Sequence, residues 1–324
     1  MKTIATHSGS FHADESLAVY MLRLLPEYKD AKLVRTRDAS VIESADIVVD
    51  VGGIYDPSKH RYDHHQREFV DTFDSDHKIR LSSAGLVYKH FGHRIIREVL
   101  GWHQDEQEDI VHMLYMKVYD DLIQEYDGVD NGVSRYPSNL DPAYKESTTI
   151  SHRVSALNPW WNQSVDDMDE RFAKAVALTG MEFTDKVLYL GNAWIPARKL
   201  VQDALNDRKA IHPSGRIMVF DQYCPWKEYV YLLEKENKIP ASEQPLYVLY
   251  PDTSSQWRIQ AVSCNPSSFE SRKALPESWR GLRDQELSTL CGIDGCVFVH
   301  ASGFIGGNMT KEGALKMAVR AHEM

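Results

Sequence analysis

Short apolar runs in the first fifty residues and in the last third, separated by long stretches at helical spacing, predict an α/β chain with a helical middle. Residues 2–6 read as a strand, His7-Ser8-Gly9-Ser10 as a polar turn, and a helix opens at Asp14 with Leu17, Met21 and Leu24 on one face. A second strand is expected over 32–36, a short helix over 39–44 and a third strand over 46–51. Successive βα units of this kind build a parallel sheet flanked by helices, with ligands gathered beyond the carboxyl ends of the strands. A charged loop covers 56–76. Helical periodicity resumes over 83–100 and 109–126, where Gly128 and Gly132 stop the helix, and again over 169–206 with an interruption at Pro196. Strands at 216–220, 246–250, 257–262 and 296–300, and a helix from about Lys311, predict a second, smaller α/β unit. The division expected is 1–205 and 206–324, with no internal repeat and no low-complexity tract.

Composition narrows the classes. A chain of 324 residues that is 43% hydrophobic can bury a large core and favours two domains over one. No apolar run is long enough to span a bilayer, so a soluble protein without a membrane partner is expected. The start of the chain lacks the features of a signal peptide. The four cysteines, Cys224, Cys264, Cys291 and Cys296, have no zinc-type spacing and read as thiols in a reducing compartment. A net charge of −10 argues against a duplex-binding face. It leaves room for a single strand, which needs only a local basic groove and stacking surfaces. Arg258, Arg272, Arg280 and Arg283 stand among Trp257, Phe269 and Trp279 in a pattern that suits such a groove, and equally suits surface arginines over core aromatics.

The chemistry is concentrated early. Five of the 14 histidines, His7, His12, His60, His64 and His65, fall in the first 65 residues, where Asp14, Asp50 and Asp63 also stand. Mixed imidazole and carboxylate donors suit Mn, Mg, Fe or Zn, and paired ions sharing a carboxylate activate water for attack on phosphorus. Asp50 closes the apolar run Ile47-Val48-Val49, where an unpaired charge would be costly, so it is expected to ligate and to bridge two ions. His64 is expected to ligate as well, with His65 facing a substrate phosphate or steadying a carboxylate, and Asp63 either orienting His64 or capping the loop. Asp56, His60 and His77 read as ordinary loop residues.

Four motifs, Thr6-His7-Ser8-Gly9-Ser10-Phe11-His12-Ala13-Asp14-Glu15, Asp50-Val51-Gly52-Gly53, Tyr62-Asp63-His64-His65-Gln66 and Val129-Asp130-Asn131-Gly132, together resemble the DHH phosphoesterase superfamily. Within it the chain resembles the Myg family nearly end to end. The likeness includes Arg153-Val154, Leu157-Asn158-Pro159, Trp257-Arg258-Ile259-Gln260-Ala261-Val262, Trp279-Arg280-Gly281-Leu282-Arg283 and the run from His300 to Asn308. The resemblance implies a DHH-type catalytic domain with a parallel sheet flanked by helices, helical from about residue 80, and a smaller C-terminal α/β domain that binds substrate. It also implies a 3′–5′ RNA exonuclease that releases nucleoside 5′-monophosphates with two divalent ions, Mn2+ or Mg2+. Expected ligands are His7, His12, Asp14, Asp50 and His64, with Asp130 favoured to complete the set and Asp127 as its alternative. His12 replaces the carboxylate of most DHH relatives and tilts the preference toward Mn. Expected substrate contacts are His65, Arg153, Arg258, Arg280, His300, Ser302, Gly303, Gly306, Gly307 and Asn308, the last five in a Gly-rich loop. Single-stranded RNA and nucleotides are the partners implied, and nucleus and mitochondria the compartments, with cytoplasm compatible. Two alternatives stay open: a small-molecule phosphohydrolase acting on pyrophosphate, oligonucleotides or cyclic dinucleotides, and a metal-stabilised binding protein without turnover. Oligomeric state is not legible in the sequence.

Overall fold

The computed structural model describes residues 1–102, 107–137, 139–164 and 167–324, and its contacts divide the chain into two compact units, Met1–Gly191 and Asn192–Met324. In the first unit the expected βα alternation forms β1 (Thr3–Thr6), α1 (Ala13–Leu24), β2 (Lys32–Arg35), α2 (Ala39–Ser44) and β3 (Ile47–Val49). β1 lies between β2 and β3 and is parallel to both. The sheet is not wholly parallel, however. Residues within and beside the charged loop add β4 (Tyr55–Asp56) and β5 (Arg61–Tyr62); β5 runs parallel to β3, β4 antiparallel to β5, and the order is β2-β1-β3-β5-β4. Strands of two residues carry no periodicity to read.

The helical middle follows as α3 (Ser83–Leu100), α4 (Glu108–Val118), a π-helical turn at Tyr119–Ile123, α5 (Gln124–Asp130), α6 (Ile150–Ser155) and α7 (Met168–Tyr189). α1 buries Leu17, Ala18, Val19, Met21 and Leu22 and packs on α3 and α7. This layer sets the donor-bearing end of the sheet against α3 and α5. A side clamp ties the charged loop to the π turn: His77 holds Asp74 Oδ1 at 2.7 Å through Nδ1 and Asp120 Oδ1 at 2.8 Å through Nε2. Burial alone would lower the His77 pKa, but Asp120 and Asp74 outweigh it and raise it above 6.5. A proton bound more tightly in the folded state stabilises fully below the unfolded pKa, and that contribution is lost as pH rises through the raised folded value. Urea melts are therefore expected to show the parent losing stability relative to His77→Gln between pH 6 and pH 8, by less than about 1 kcal/mol because the clamp is solvent-screened. Equal pH slopes would remove the clamp from the stability of this unit.

The second unit begins earlier than the expected boundary at 205/206, which falls inside α8 (Ile195–Ile211), a helix packed on β6 (Ile217–Val219). Pro196 lies in the first turn of α8, directly after a π-helical turn at Leu190–Trp194 that follows α7, so the helical run expected over 169–206 continues and its interruption falls just before the proline, where the missing N–H is accommodated. Next come α9 (Lys227–Glu236), β7 (Tyr247–Pro251), β8 (Trp257–Ala261), α10 (Asp284–Cys291), β9 (Cys296–Val299), β10 (Ile305–Asn308) and α11 (Lys311–Glu323). The order β6-β7-β8-β10-β9 is parallel at β6/β7 and antiparallel elsewhere. Tyr247, Leu249, Ile259, Trp279, Leu287 and Met317 fill its core. Among the described residues no helix is long and apolar enough to cross a membrane.

Candidate metal centre

Strand ends of the first sheet, and the helix termini beside them, deliver the donors. His7 follows β1, Asp14 and Glu15 open α1, Asp50 follows β3, His64 and His65 follow β5, and Asp130 ends α5. Asp50 adopts φ +59°, a left-handed conformation that Asp tolerates better than bulkier residues. His7 Nε2 stands 3.1 Å from Glu15 Oε1 and 3.3 Å from Asp50 Oδ2. His64 Nε2 stands 3.4 Å from Asp50 Oδ1 and 3.0 Å from Asp130 Oδ2. Three sets of donor atoms, His7/His12/Glu15/Asp50, Asp50/His64/His65 and His12/Asp14/Asp130, each lie within 4.8 Å of one another. Asp50 and His12 each belong to two sets, so the three merge into one centre.

The donors fit divalent cations. His7, Asp14, Asp50 and His64 are buried, yet Asp14 Oδ1, Asp50 Oδ1 and His64 Nε2 have no hydrogen-bond partner. His64 Nε2 lies close to two carboxylates without the alignment of a hydrogen bond, which leaves its nitrogen aimed into the centre. Asp14 Oδ2 is held by Ser83 Oγ at 2.7 Å, so its unpartnered oxygen is the one that faces the cluster. The electrostatics agree. Burial opposes a proton on His7 and on His64, but the carboxylates of Asp50 and Glu15 around the first, and of Asp130 and Asp50 around the second, lift both to about 10. Burial, then the charges of Asp50, Asp130 and Glu15, raise Asp14, while His64 and His7 overcome burial and hold Asp50 low. So much negative charge in a closed space calls for positive charge, and mixed nitrogen and oxygen donors suit Mn2+ or a similar ion.

Asp127 and Asp130 take different parts. Asp127 is fully buried; Oδ1 accepts from the Ser82 N–H at 2.8 Å and Oγ at 2.7 Å, and Oδ2 accepts from the Tyr119 hydroxyl at 2.9 Å. Its carboxylate is spent on holding α3 to the π turn. Only glycine at 85 permits this, because a Cβ there would stand 2.2 Å from Asp127 Oδ1. Asp130 reaches the centre. Asp63 caps the loop by accepting from the Gly53 N–H at 2.6 Å, and it orients His65, not His64, by holding His65 Nδ1 at 2.7 Å. That contact raises the His65 pKa, and the His65 side chain is 63% exposed.

Three supporting residues are not legible as such in the sequence. Glu15 accepts from the His12 N–H at 2.8 and 3.0 Å while touching His7; its place three residues after His12 marks a helix cap and conceals its second task. Arg35 donates to Gly9 O at 2.6 Å and lies over the Phe11 and Phe172 rings. Asn158 receives the Phe11 N–H at 3.0 Å and donates to Phe11 O at 2.9 Å, clamping the loop that carries His7 and His12. Asn158 belongs to a recognised motif, but spacing does not disclose its partner. The centre opens on a cavity of about 710 Å3 lined by His12, Asp14, His64, His65 and Asp130 with Arg67, Arg80, Ser151 and Ser155.

The other residues expected to contact substrate are engaged within their own units. Arg153 pairs with Glu182 at 2.7 Å on the surface of the first unit and is not among the cavity-lining residues of α6. In the second unit Arg258 is ion-paired with Asp252 and lies over Phe298, and Arg280 Nε donates to Leu275 O at 3.0 Å beside Gly303. His300 and Ser302 are exposed and hydrogen-bonded to each other at 2.9 Å. Gly306, Gly307 and Asn308 form β10, not a loop. A Cβ at Gly306 would meet Phe298 O at 2.9 Å, and Asn308 is wholly buried, donating to Asp294 O and accepting from the Thr310 N–H. These three therefore pack the sheet; a glycine pair looks the same in sequence whether a ligand or a neighbouring strand comes close.

A protein-family model, MYG1_exonuc, described as "Uncharacterised protein family (UPF0160)", matches residues 3–321. A Dictyostelium discoideum protein called MYG1 protein is 53% identical over 320 residues, covering 98% of this chain and 95% of its own. A Homo sapiens protein called MYG1 exonuclease is 49% identical over 321 residues, 97% of this chain and 84% of its own. A Saccharomyces cerevisiae MYG1 protein is 48% identical over 324 residues, 98% and 94%. Among solved structures, RecJ from Thermus thermophilus, crystallised with Mn2+, aligns with all of this chain at TM-score 0.24 and 13% identity. The aligned part spans 52% of that chain, and the match is too slight to bear on fold or chemistry.

Proposed function

The chain belongs to the MYG1 exonuclease family, and from that premise we propose that it hydrolyses phosphodiester bonds at the 3′ end of single-stranded RNA, with two divalent cations and release of nucleoside 5′-monophosphates. The observation that carries the reading is the merging of three donor sets through Asp50 and His12, with unpartnered atoms on Asp14, Asp50 and His64, at the mouth of an open cavity.

His7, His12 and Asp50 would hold one cation, Asp14, Asp50, His64 and Asp130 the other, with Asp50 shared. Bound cations supply a polarised water and neutralise charge gathering on phosphorus. The chain's own groups do the rest. Arg35 and Asn158 hold the His7–His12 loop in place, so that donors need not reorganise during the reaction. Asp63 fixes the His65 ring with Nδ1 occupied, leaving Nε2 to face the phosphate. The water oxygen forms a bond to phosphorus and gives up a proton to solvent, the P–O3′ bond breaks, and His65 is placed to deliver a proton to the departing 3′ oxygen. Arg67 and Arg80 on the cavity wall offer cations to phosphate oxygens.

The experiment compares linear and covalently closed RNA of one sequence, and the matching DNA, with Mn2+, with Mg2+ and after chelation. Stepwise loss of the linear strand to mononucleotides, an intact circle and no reaction after chelation are expected. Cutting of the circle would make the enzyme an endonuclease. Turnover of pyrophosphate or dinucleotides alone would favour a small-molecule phosphohydrolase.

A further inference from the structure

A second cavity of about 690 Å3 lies beside Asp50, His12 and His65, walled by Ser8, Gly9 and Ser10 and by Gly52 and Gly53. It does not stop at the metal centre. Arg37, Val51 and Gly52 also line a neighbouring cavity of about 580 Å3, which continues over Ile42 and Ile54 to Lys59 and Arg61. The two form one track within the first unit. Gly52 and Gly53 have φ +95° and +68°, and no atom lies within 4 Å of where a Gly53 side chain would stand, so the backbone leaves the passage open.

The lining has a definite character. Ile54 is 53% exposed and, with Ile42 and Val51, gives an apolar floor. Arg37, Lys59 and Arg61 stand against one carboxylate, Glu43, among the residues of the outer cavity, in a chain whose net charge is −10. Arg61 is engaged with the carbonyls of Lys59, His60 and Glu43, so it supplies field more than contacts. Lys59 is largely exposed and only loosely paired with Asp56 at 3.6 Å, and Arg37 donates Nε to Ser8 O at 3.3 Å.

We propose that this track holds the retained part of a single-stranded nucleic acid, the nucleotides upstream of the scissile phosphate, with Arg37 and Lys59 on their phosphates and bases laid on Ile54 and Ile42. The proposal rests on the exonuclease reading. A basic groove that follows the phosphates is what a single strand of any sequence needs, and the aliphatic floor beside it gives the bases an apolar surface in place of stacking rings. Continuity with the centre leads a bound strand away from the reacting phosphate, which a docked protein would have no reason to require. Cavities of these volumes each take a ligand of about one or two nucleotides. The strand should thus be gripped over roughly the first four nucleotides beyond the cut.

The test is the efficiency of cleavage, kcat/KM, on oligonucleotides from two to ten residues long, together with anisotropy of a labelled octanucleotide on Asp50→Asn protein. The parent is expected to gain efficiency with length over about four nucleotides and to lose that gain in high salt. Lys59→Glu and Ile54→Asp should each lower efficiency on the octanucleotide about tenfold relative to the dinucleotide, and weaken its binding by a similar factor. An unchanged length dependence in both variants overturns the track. So does an equal loss on dinucleotide and octanucleotide, which would move these residues to the leaving nucleotide or to the fold. A parent that cleaves oligonucleotides without any length dependence sinks the track alone; a parent that cleaves none sinks the exonuclease reading with it.

Discussion

Asp50→Asn is expected to cost about 10³-fold or more in turnover and to release bound cations, while the protein stays folded. Asparagine keeps the shape and accepts the left-handed backbone that this position imposes, so the variant tests charge and donor strength without breaking the turn after β3. The loss should be large because one carboxylate serves two donor sets, and because the buried histidines around it would then face each other without the charge that now separates them. Metal content by mass spectrometry and the rise in melting temperature on adding Mn2+ report binding directly: the parent should gain stability by mass action and the variant should not. Near-normal turnover in a folded Asp50→Asn protein would sink the two-cation mechanism.

Asp127→Ala and Asp130→Ala should part in opposite directions. Removing the Asp127 carboxylate strands the Ser82 N–H, the Ser82 hydroxyl and the Tyr119 hydroxyl in a closed interior, at a cost of about 3 kcal/mol or more. Cation binding by the protein that remains folded should survive. Asp130→Ala removes a partly exposed group whose close partner is His64, so it should cost clearly less stability in the absence of metal than Asp127→Ala while activity falls away. Asp127→Asn should recover most of the stability, since the Tyr119 hydroxyl can turn to accept from the amide. Denaturant melts under chelation, read beside metal content, separate the cases. A stable Asp127→Ala protein that has lost its cations would exchange the two assignments.

The donors themselves were legible because hard ligands at strand ends have few other reasons to cluster. His7, His12, Asp14, Asp50 and His64 stand out in the sequence itself, and the structure brings them together with Asp130. Choosing between Asp127 and Asp130 was not possible from spacing. Both stand in the last turn of α5, and only the burial of Asp127 against Ser82 and Tyr119 distinguishes a brace from a donor. Glu15 was hidden by doing two things at once. In the second unit the glycine pair at 306 and 307 suggested a loop, because sequence does not say whether the close neighbour is a ligand or Phe298. The two-residue strands β4 and β5 and the early boundary of the second unit escape the sequence for a related reason: they depend on what pairs with or packs against what.

The clamp between Asn158 and Phe11 joins positions 147 residues apart, and Asp130 joins the centre from 80 residues beyond Asp50. Most of the donors thus leave the ribosome early, in the first 65 residues, while the parts that order them come much later. A nascent chain short of residue 158 carries histidines and carboxylates on a loop that lacks its Asn158 clamp and its Asp130 partner, and so does not hold a cation in the working arrangement. Competence is therefore tied to the completion of the first unit during synthesis, and a truncated product would be a poor scavenger of metal and no nuclease.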